Sequence, residues 1–175
     1  KLKKANAEGI ILDLRNNGGG SLSKVVEIGG LFIKEGPIVQ VRSANNSMQV
    51  LEDSDGVVQW DKPLIILINE LSASASEILA GALQEHDVAT LMGEQTFGKG
   101  SVQELVDLPS GSSLKVTVAR WLTPNGRSIS NGGLTPDIKV ERTQEDREAN
   151  RDPQLDAAIQ VLHGTYVAPE EKKAE

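Results

Sequence analysis

The run PLIILIN (63–69) constrains the fold of this chain more than any other stretch, because it reads as a fully apolar strand that must lie in a core. Directly after it, Ala75, Ile78, Leu79, Ala82 and Leu83 recur at helical spacing, which predicts a helix over roughly 74–86. GIILDLR (9–15) repeats the theme as a short buried strand, and NNGGG (16–20) stops it. SLSKVVEIGGLFI (21–33) then carries apolar residues at Leu22, Val25, Val26, Ile28 and Leu31, a helix facing a core. Strands and helices alternate, so the class is α/β.

Around this frame, PIVQVR (37–42) and VATLMG (88–93) are strand-like, and 44–56 reads as a polar loop. SVQELVDL (101–108) and SLKVTVARWL (113–122) alternate around a Pro-Ser-Gly turn at 109–111, a hairpin. TPNGRSISNGGLTPD (123–137) is a loop. Residues 152–162 predict a helix with Asp152 as N-cap and Pro153 at its first position. Residues 1–163 are expected to form the core, and 164–175, ending PEEKKAE, a disordered tail. The opening residues read as the end of a helix that has lost its beginning, so a piece of a longer protein is expected.

Composition excludes several classes of function. The chain has 175 residues, 38% of them hydrophobic, enough for one domain with a substantial core. Its net charge of −7 gives no electrostatic reason to bind nucleic acid or an anionic membrane. It lacks cysteine, which removes disulfides, thiolate metal sites and a cysteine nucleophile. Only His86 and His163 are available to a histidine triad or a histidine-rich metal site. His86 is expected at a helix C-terminus, and the carboxylates at 52–55 in an ordinary solvated loop.

Three motifs carry chemistry. In LSASASEILAGALQEH (71–86) a serine-rich turn leads from a strand into a helix, where first-turn amides and the helix dipole can stabilise an oxyanion. The same serines could serve only as N-caps. In GEQTFGKGSVQ (93–103), Lys99 lies between two glycines, where its stem can be packed and its amine desolvated. Burial disfavours the charged form of a lysine, and a neutral amine can accept a serine proton. An exposed turn lysine fits that local sequence as well. In LDLRNNGGG (12–20) the glycine amides can form a nest for an anion, or simply a tight turn.

Two further patterns mislead. Gly93, Gly98 and Lys99 match the start of a phosphate-binding loop, but Gly100 stands where Ser or Thr should ligate magnesium, and a strand pattern follows where a helix should. Ser21 and Lys24 fit S-x-x-K without its companion motifs and read as a first helical turn.

Together the three motifs, with RSISNGGLTPDI (127–138), resemble in order and from about residue 9 to 140 the C-terminal processing peptidases, or tail-specific proteases. The resemblance implies that Ser74, the middle serine of Ser-Ala-Ser-Ala-Ser-Glu, is the nucleophile. It implies that Lys99, 25 positions on, is its base, and that Gln103 helps to hold the lysine. In a straight strand the Cα atoms of Lys99 and Gln103 would lie ~13 Å apart, so the chain should bend, and Gly100 is the expected place. The implied oxyanion hole combines the Ala75 amide with one from Gly19 or Gly20.

The implied fold is a ββα superhelix similar to the Clp-protease and crotonase architecture, of which only the later part is present, without the family's PDZ domain. The implied activity is serine endopeptidase cleavage near unstructured protein C-termini, with peptide or protein partners and no metal or organic cofactor. The implied location is a bacterial periplasm or cell envelope, or a plant thylakoid lumen. Membrane association of the parent is compatible with this, and the oligomeric state is left open. A nucleotide-binding module and a non-catalytic peptide-binding domain are the rivals from other classes. The first lacks its magnesium ligand, and the second would be expected to lose Ser74 or Lys99.

Overall fold

The structure, a computed structural model, describes residues 6–53, 58, 60–109, 111–130 and 132–168. Two four-stranded sheets and the helices between them make up the fold. The first sheet has the order β1-β4-β5-β8, with β1 at Ile10–Asp13, β4 at Leu64–Ile68, β5 at Thr90–Gly93 and β8 at Ile138–Lys139. All its pairings are parallel. The second has the order β3-β2-β7-β6, with β2 at Val39–Ser43, β3 at Met48–Leu51, β6 at Ser101–Asp107 and β7 at Ser113–Leu122. All its pairings are antiparallel. Helices α1 (Leu22–Gly30) and α2 (Ala75–Glu85) follow β1 and β4, and α3 (Gln144–Glu148) and α4 (Pro153–Leu162) close the chain. The α/β class agrees with the sequence reading.

The burial of β4 explains its composition. Leu64, Ile66 and Ile68 join the larger core, with Leu79, Ala80 and Leu83 of α2, Val25 of α1 and Trp121 of β7. Ile65 and Leu67 point the other way, toward Met92 and the Ala157 and Ala158 of α4. Alternate side chains thus enter two cores, and a strand covered on both faces has no use for a polar residue. By contrast β1 is an edge strand and only half-buried, although its sequence reads as fully buried.

Three elements differ from the sequence reading. The expected polar loop 44–56 contains β3, an edge strand that is mostly exposed and therefore lacks an apolar signature. Ser54 to Gly56 lie outside the described residues. Helix α3 was not expected; Thr143 caps it, accepting from Asp146 N at 3.1 Å while the Asp146 carboxylate accepts from Thr143 N at 3.1 Å. The expected helix 21–33 is helical only to Gly30, where Leu31 and Phe32 N–H groups turn back to the Ile28 and Gly29 carbonyls.

Other expectations hold. Asp152 caps α4 through Leu155 N at 3.1 Å, with Pro153 in the first turn. His86 is the C-cap of α2, its Nε2 2.8 Å from the Pro37 carbonyl oxygen. Ser21 stands at the N-cap position of α1 with its hydroxyl 2.8 Å from that of Ser23, and Lys24 pairs with Glu27 at 2.7 Å, as a plain first turn should. In the β6–β7 turn, Ser110 lies outside the described residues, and Gly111 takes a φ of 80°. Of the expected tail, 169–175 lie outside them, while Tyr166 packs against the smaller core. No helix among the described residues is long and apolar enough to cross a membrane.

Candidate active site

Because β1 and β4 run parallel, the loops that follow them emerge at the same sheet edge, where α/β folds place their ligands. These two loops are the glycine motif and the serine turn, and they are sewn together. Asn16 N donates to Asn69 Oδ1 at 2.9 Å and Asn69 Nδ2 donates to Asn16 Oδ1 at 3.0 Å. Ala73 N donates to the Asn17 carbonyl at 3.0 Å. Ser72, fully buried, donates its hydroxyl to the Leu14 carbonyl at 2.7 Å and accepts from Asn69 N at 3.0 Å. Ser72 is thus a structural clamp.

Ser74 has φ 58° and ψ −119°, a backbone that side-chain-bearing residues rarely adopt. This turn ends at the N-terminus of α2 and leaves Ser74 half-buried beside its first amides. Gly19, with φ 101°, lies against its back. A Cβ there would come within 2.7 Å of the Ala73 carbonyl and 2.9 Å of the Ser74 Cβ. No other residue fits this approach.

Beneath the serine, Glu77 is fully buried and gathers four donors on one carboxylate. Its Oε2 accepts from Ser74 N at 2.8 Å and Lys99 N at 3.0 Å. Its Oε1 accepts from Gly98 N at 2.7 Å and Thr96 Oγ1 at 2.5 Å. Thr96 Oγ1 in turn accepts from Leu134 N at 2.7 Å, and Thr96 N donates to the Leu134 carbonyl at 3.1 Å. Phe97 N donates to the Ser72 carbonyl at 3.1 Å. The lysine loop is therefore held between the serine turn and the 127–134 loop.

Ser74, Ala75, Lys99, Gln103 and Gly20 all line one pocket of about 280 Å³. Its apolar walls are Leu22, Ile78, Val102 and Trp121. The two oxyanion candidates separate here. Gly19 N is taken by Asn17 Oδ1 at 3.0 Å, whereas Gly20 lines the pocket and has no hydrogen-bond partner for its N–H among the described residues.

Two expectations about the lysine differ. Lys99 is exposed rather than desolvated, because only its backbone is gripped and its side chain extends into the open pocket. The irregularity in its strand lies between Val102 and Gln103, not at Gly100. Gly100 is needed instead for close approach: a Cβ would meet Ser130 Oγ at 2.4 Å. Gln103 shares the pocket with Lys99, and its Nε2 lies 3.4 Å from Thr117 Oγ1. Glu77 went unnoticed in the sequence, although its place three residues after Ser74 is the signature of a residue that reaches back to an N-cap amide. Thr96 offered no such signal.

A second polar cluster braces the glycine loop. All five N–H groups of Arg15 are used, on Asp13, Asp152 and Gln154, at 2.7–3.0 Å. The hydrogen bonds that Arg15 donates to Asp13, and then those to Asp152, hold its pKa above the ordinary value. Burial pushes the Asp13 carboxyl up, but the Arg15 hydrogen bonds outweigh it and leave it below its usual value. The Arg15 hydrogen bond, against a smaller effect of burial, likewise holds Asp152 low.

Comparison with known proteins shows the family of this chain. A carboxyl-terminal-processing protease of Synechocystis sp. is 41% identical over 167 residues, which is 94% of this chain and 39% of that protein. A tail-specific protease of Haemophilus influenzae is 39% identical over 165 residues, 90% of this chain and 24% of the relative. The chain thus spans well under half the length of these relatives. The solved structure of a photosystem II D1 C-terminal processing protease superposes with a TM-score of 0.74 at 38% identity, over 80% of this chain and 36% of that one. Residues 1–140 match Peptidase family S41, and the chain belongs to that family.

Proposed function

We propose that this domain is the catalytic part of a serine endopeptidase that cleaves proteins near unstructured C-termini, with Ser74 as nucleophile and Lys99 as general base. One observation carries the reading: Glu77 binds the backbone N–H groups of both Ser74 and Lys99, and both side chains line the same pocket. The names of the relatives, which process protein C-termini, support the substrate class.

In the proposed cycle a neutral Lys99 amine takes the Ser74 hydroxyl proton, and the alkoxide attacks the peptide carbonyl. The Ala75 and Gly20 N–H groups stabilise the oxyanion at the helix start. Lys99 returns the proton to the leaving amine, and water then releases the acyl group. Leu22, Ile78, Val102 and Trp121 form a subsite for an apolar residue. The enzyme works in a bacterial periplasm or envelope, or in a plant thylakoid lumen; relatives come from bacteria, and others carry a chloroplastic name.

The test is hydrolysis of a peptide with an unstructured, apolar C-terminus by the intact enzyme and by its Ser74→Ala and Lys99→Ala forms. Each single change is expected to abolish cleavage, and the wild-type rate to rise with pH as the amine loses its proton. Retention of activity by Lys99→Ala would assign the base to another group and overturn the mechanism.

A further inference from the structure

We infer that Lys115 is a specificity-determining residue, whose ammonium receives a carboxylate of the bound peptide at the Ser74 pocket. This rests on the peptidase reading above and adds a charge preference to it.

The β6–β7 register fixes the side on which Lys115 lies. Leu105 is opposite Lys115 and Gln103 opposite Thr117, so Lys115 and Thr117 share the face of the hairpin that carries Gln103. That face turns to the nucleophile: Gln103 and Lys115 both line the Ser74 pocket. The lining holds two lysines, Lys99 and Lys115, and no aspartate or glutamate. If Lys99 is neutral when it acts, Lys115 supplies the remaining charge.

No ion pair among the described residues neutralises it. Lys24 and Lys139 pair with Glu27 and Glu141, but Lys115 has no ion pair among the described residues. Its opposite neighbour is Leu105, and Glu104, opposite Val116, points to the other face. Asp107 shares the face of Lys115, yet its Oδ1 accepts from Ser113 at 2.8 Å. A chain of net charge −7 repels acidic peptides in general, so an exposed lysine at this pocket, without an ion pair among the described residues, is a local reversal of sign. A carboxylate set against it gains a charge-assisted hydrogen bond at the mouth of the pocket. Either an acidic side chain or the α-carboxylate of a chain end presents that group.

The experiment uses the intact enzyme and two matched pairs of fluorogenic peptides. One pair differs only by Asp against Asn on the leaving side of the scissile bond. The other differs only by a free or amidated C-terminus close to that bond. Wild type is expected to favour the carboxylate member of at least one pair by about 10-fold in kcat/KM, and the pair concerned identifies the source. Lys115→Gln should bring that ratio to about 1 through KM, with neutral peptides cleaved as before, and Lys115→Glu should invert it. Lys115→Arg should keep the preference and so reports on folding at this position. No preference in wild type, or a preference that survives in Lys115→Gln, overturns the inference while leaving the peptidase reading intact. Failure of wild type to cleave even the neutral peptides overturns that reading, and the inference with it.

Discussion

The carboxylate of Glu77 accepts the backbone N–H of Lys99 at 3.0 Å with the same oxygen that accepts the N–H of Ser74 at 2.8 Å. Two residues far apart in sequence therefore have their backbones registered through a single atom. Glu77→Gln puts an amide nitrogen where one carboxylate oxygen accepts two N–H or O–H donors, so two contacts become repulsive. Such a loss is expected to cost ~1–3 kcal/mol of stability per unsatisfied group and to lower kcat by more than KM changes. Thermal melts alongside steady-state kinetics check both parts.

Thr96 tests the same link from the other side. Thr96→Val keeps the shape but leaves Leu134 N without its acceptor and Glu77 without one donor. About 1–3 kcal/mol of destabilisation is expected, with Thr96→Ser restoring most of it. Denaturant midpoints of the three forms decide the matter.

The glycine loop yields a contrast between neighbours. Gly19→Ala must place a Cβ within 2.7 Å of the Ala73 carbonyl at a φ of 101°, so it should displace the serine turn and abolish peptide cleavage. Gly20→Ala meets nothing within 4 Å and keeps its N–H, and should retain activity within about 10-fold, since only loss of the donor itself would cost the ~10²–10³ of an oxyanion contact. Parallel kinetics of the two variants tell them apart.

Acid stability should follow Arg15. Asp13 and Asp152 have carboxyl pKa values below the usual one, so the folded state binds their protons more weakly than the unfolded chain. Their contribution is complete above the unfolded value near ~3.9 and is lost as pH falls through the lower folded values. Arg15→Met should lower the melting temperature at neutral pH and flatten its dependence on pH below about 4. Melting curves across that range would show either the flattening or its absence.

Much of this was legible in the sequence, for reasons particular residues make plain. The apolar run of β4 announced itself because both its faces are buried, and the α2 periodicity followed at once. Edge position hid β3, whose exposed residues have no need to alternate visibly. Helix α3 was marked by Thr143 and Asp146, a capping pair three residues apart that propensity alone overlooks. At the site, the family resemblance pointed to Ser74 and Lys99, where local sequence alone left an N-cap and an exposed turn lysine open. The environment of the lysine was not readable, since burial depends on which chain segments arrive from elsewhere. Of the two candidate glycines, only three-dimensional contact shows that Asn17 occupies the amide of Gly19.

The Arg15 cluster also bears on where this domain ends. The match to the family's model stops at residue 140, yet Asp152 and Gln154 lie beyond it and hold the strand that leads into the glycine loop. Ala157 and Ala158 cover Ile65, Leu67 and Met92 on the far side of the parallel sheet. A chain trimmed to the matched span would bare that apolar surface to other copies and free the root of the loop at the same stroke. The physical frontier of the folding unit thus lies at least one helix past the end of that match, and a boundary drawn at residue 140 would cut through a wall of the building.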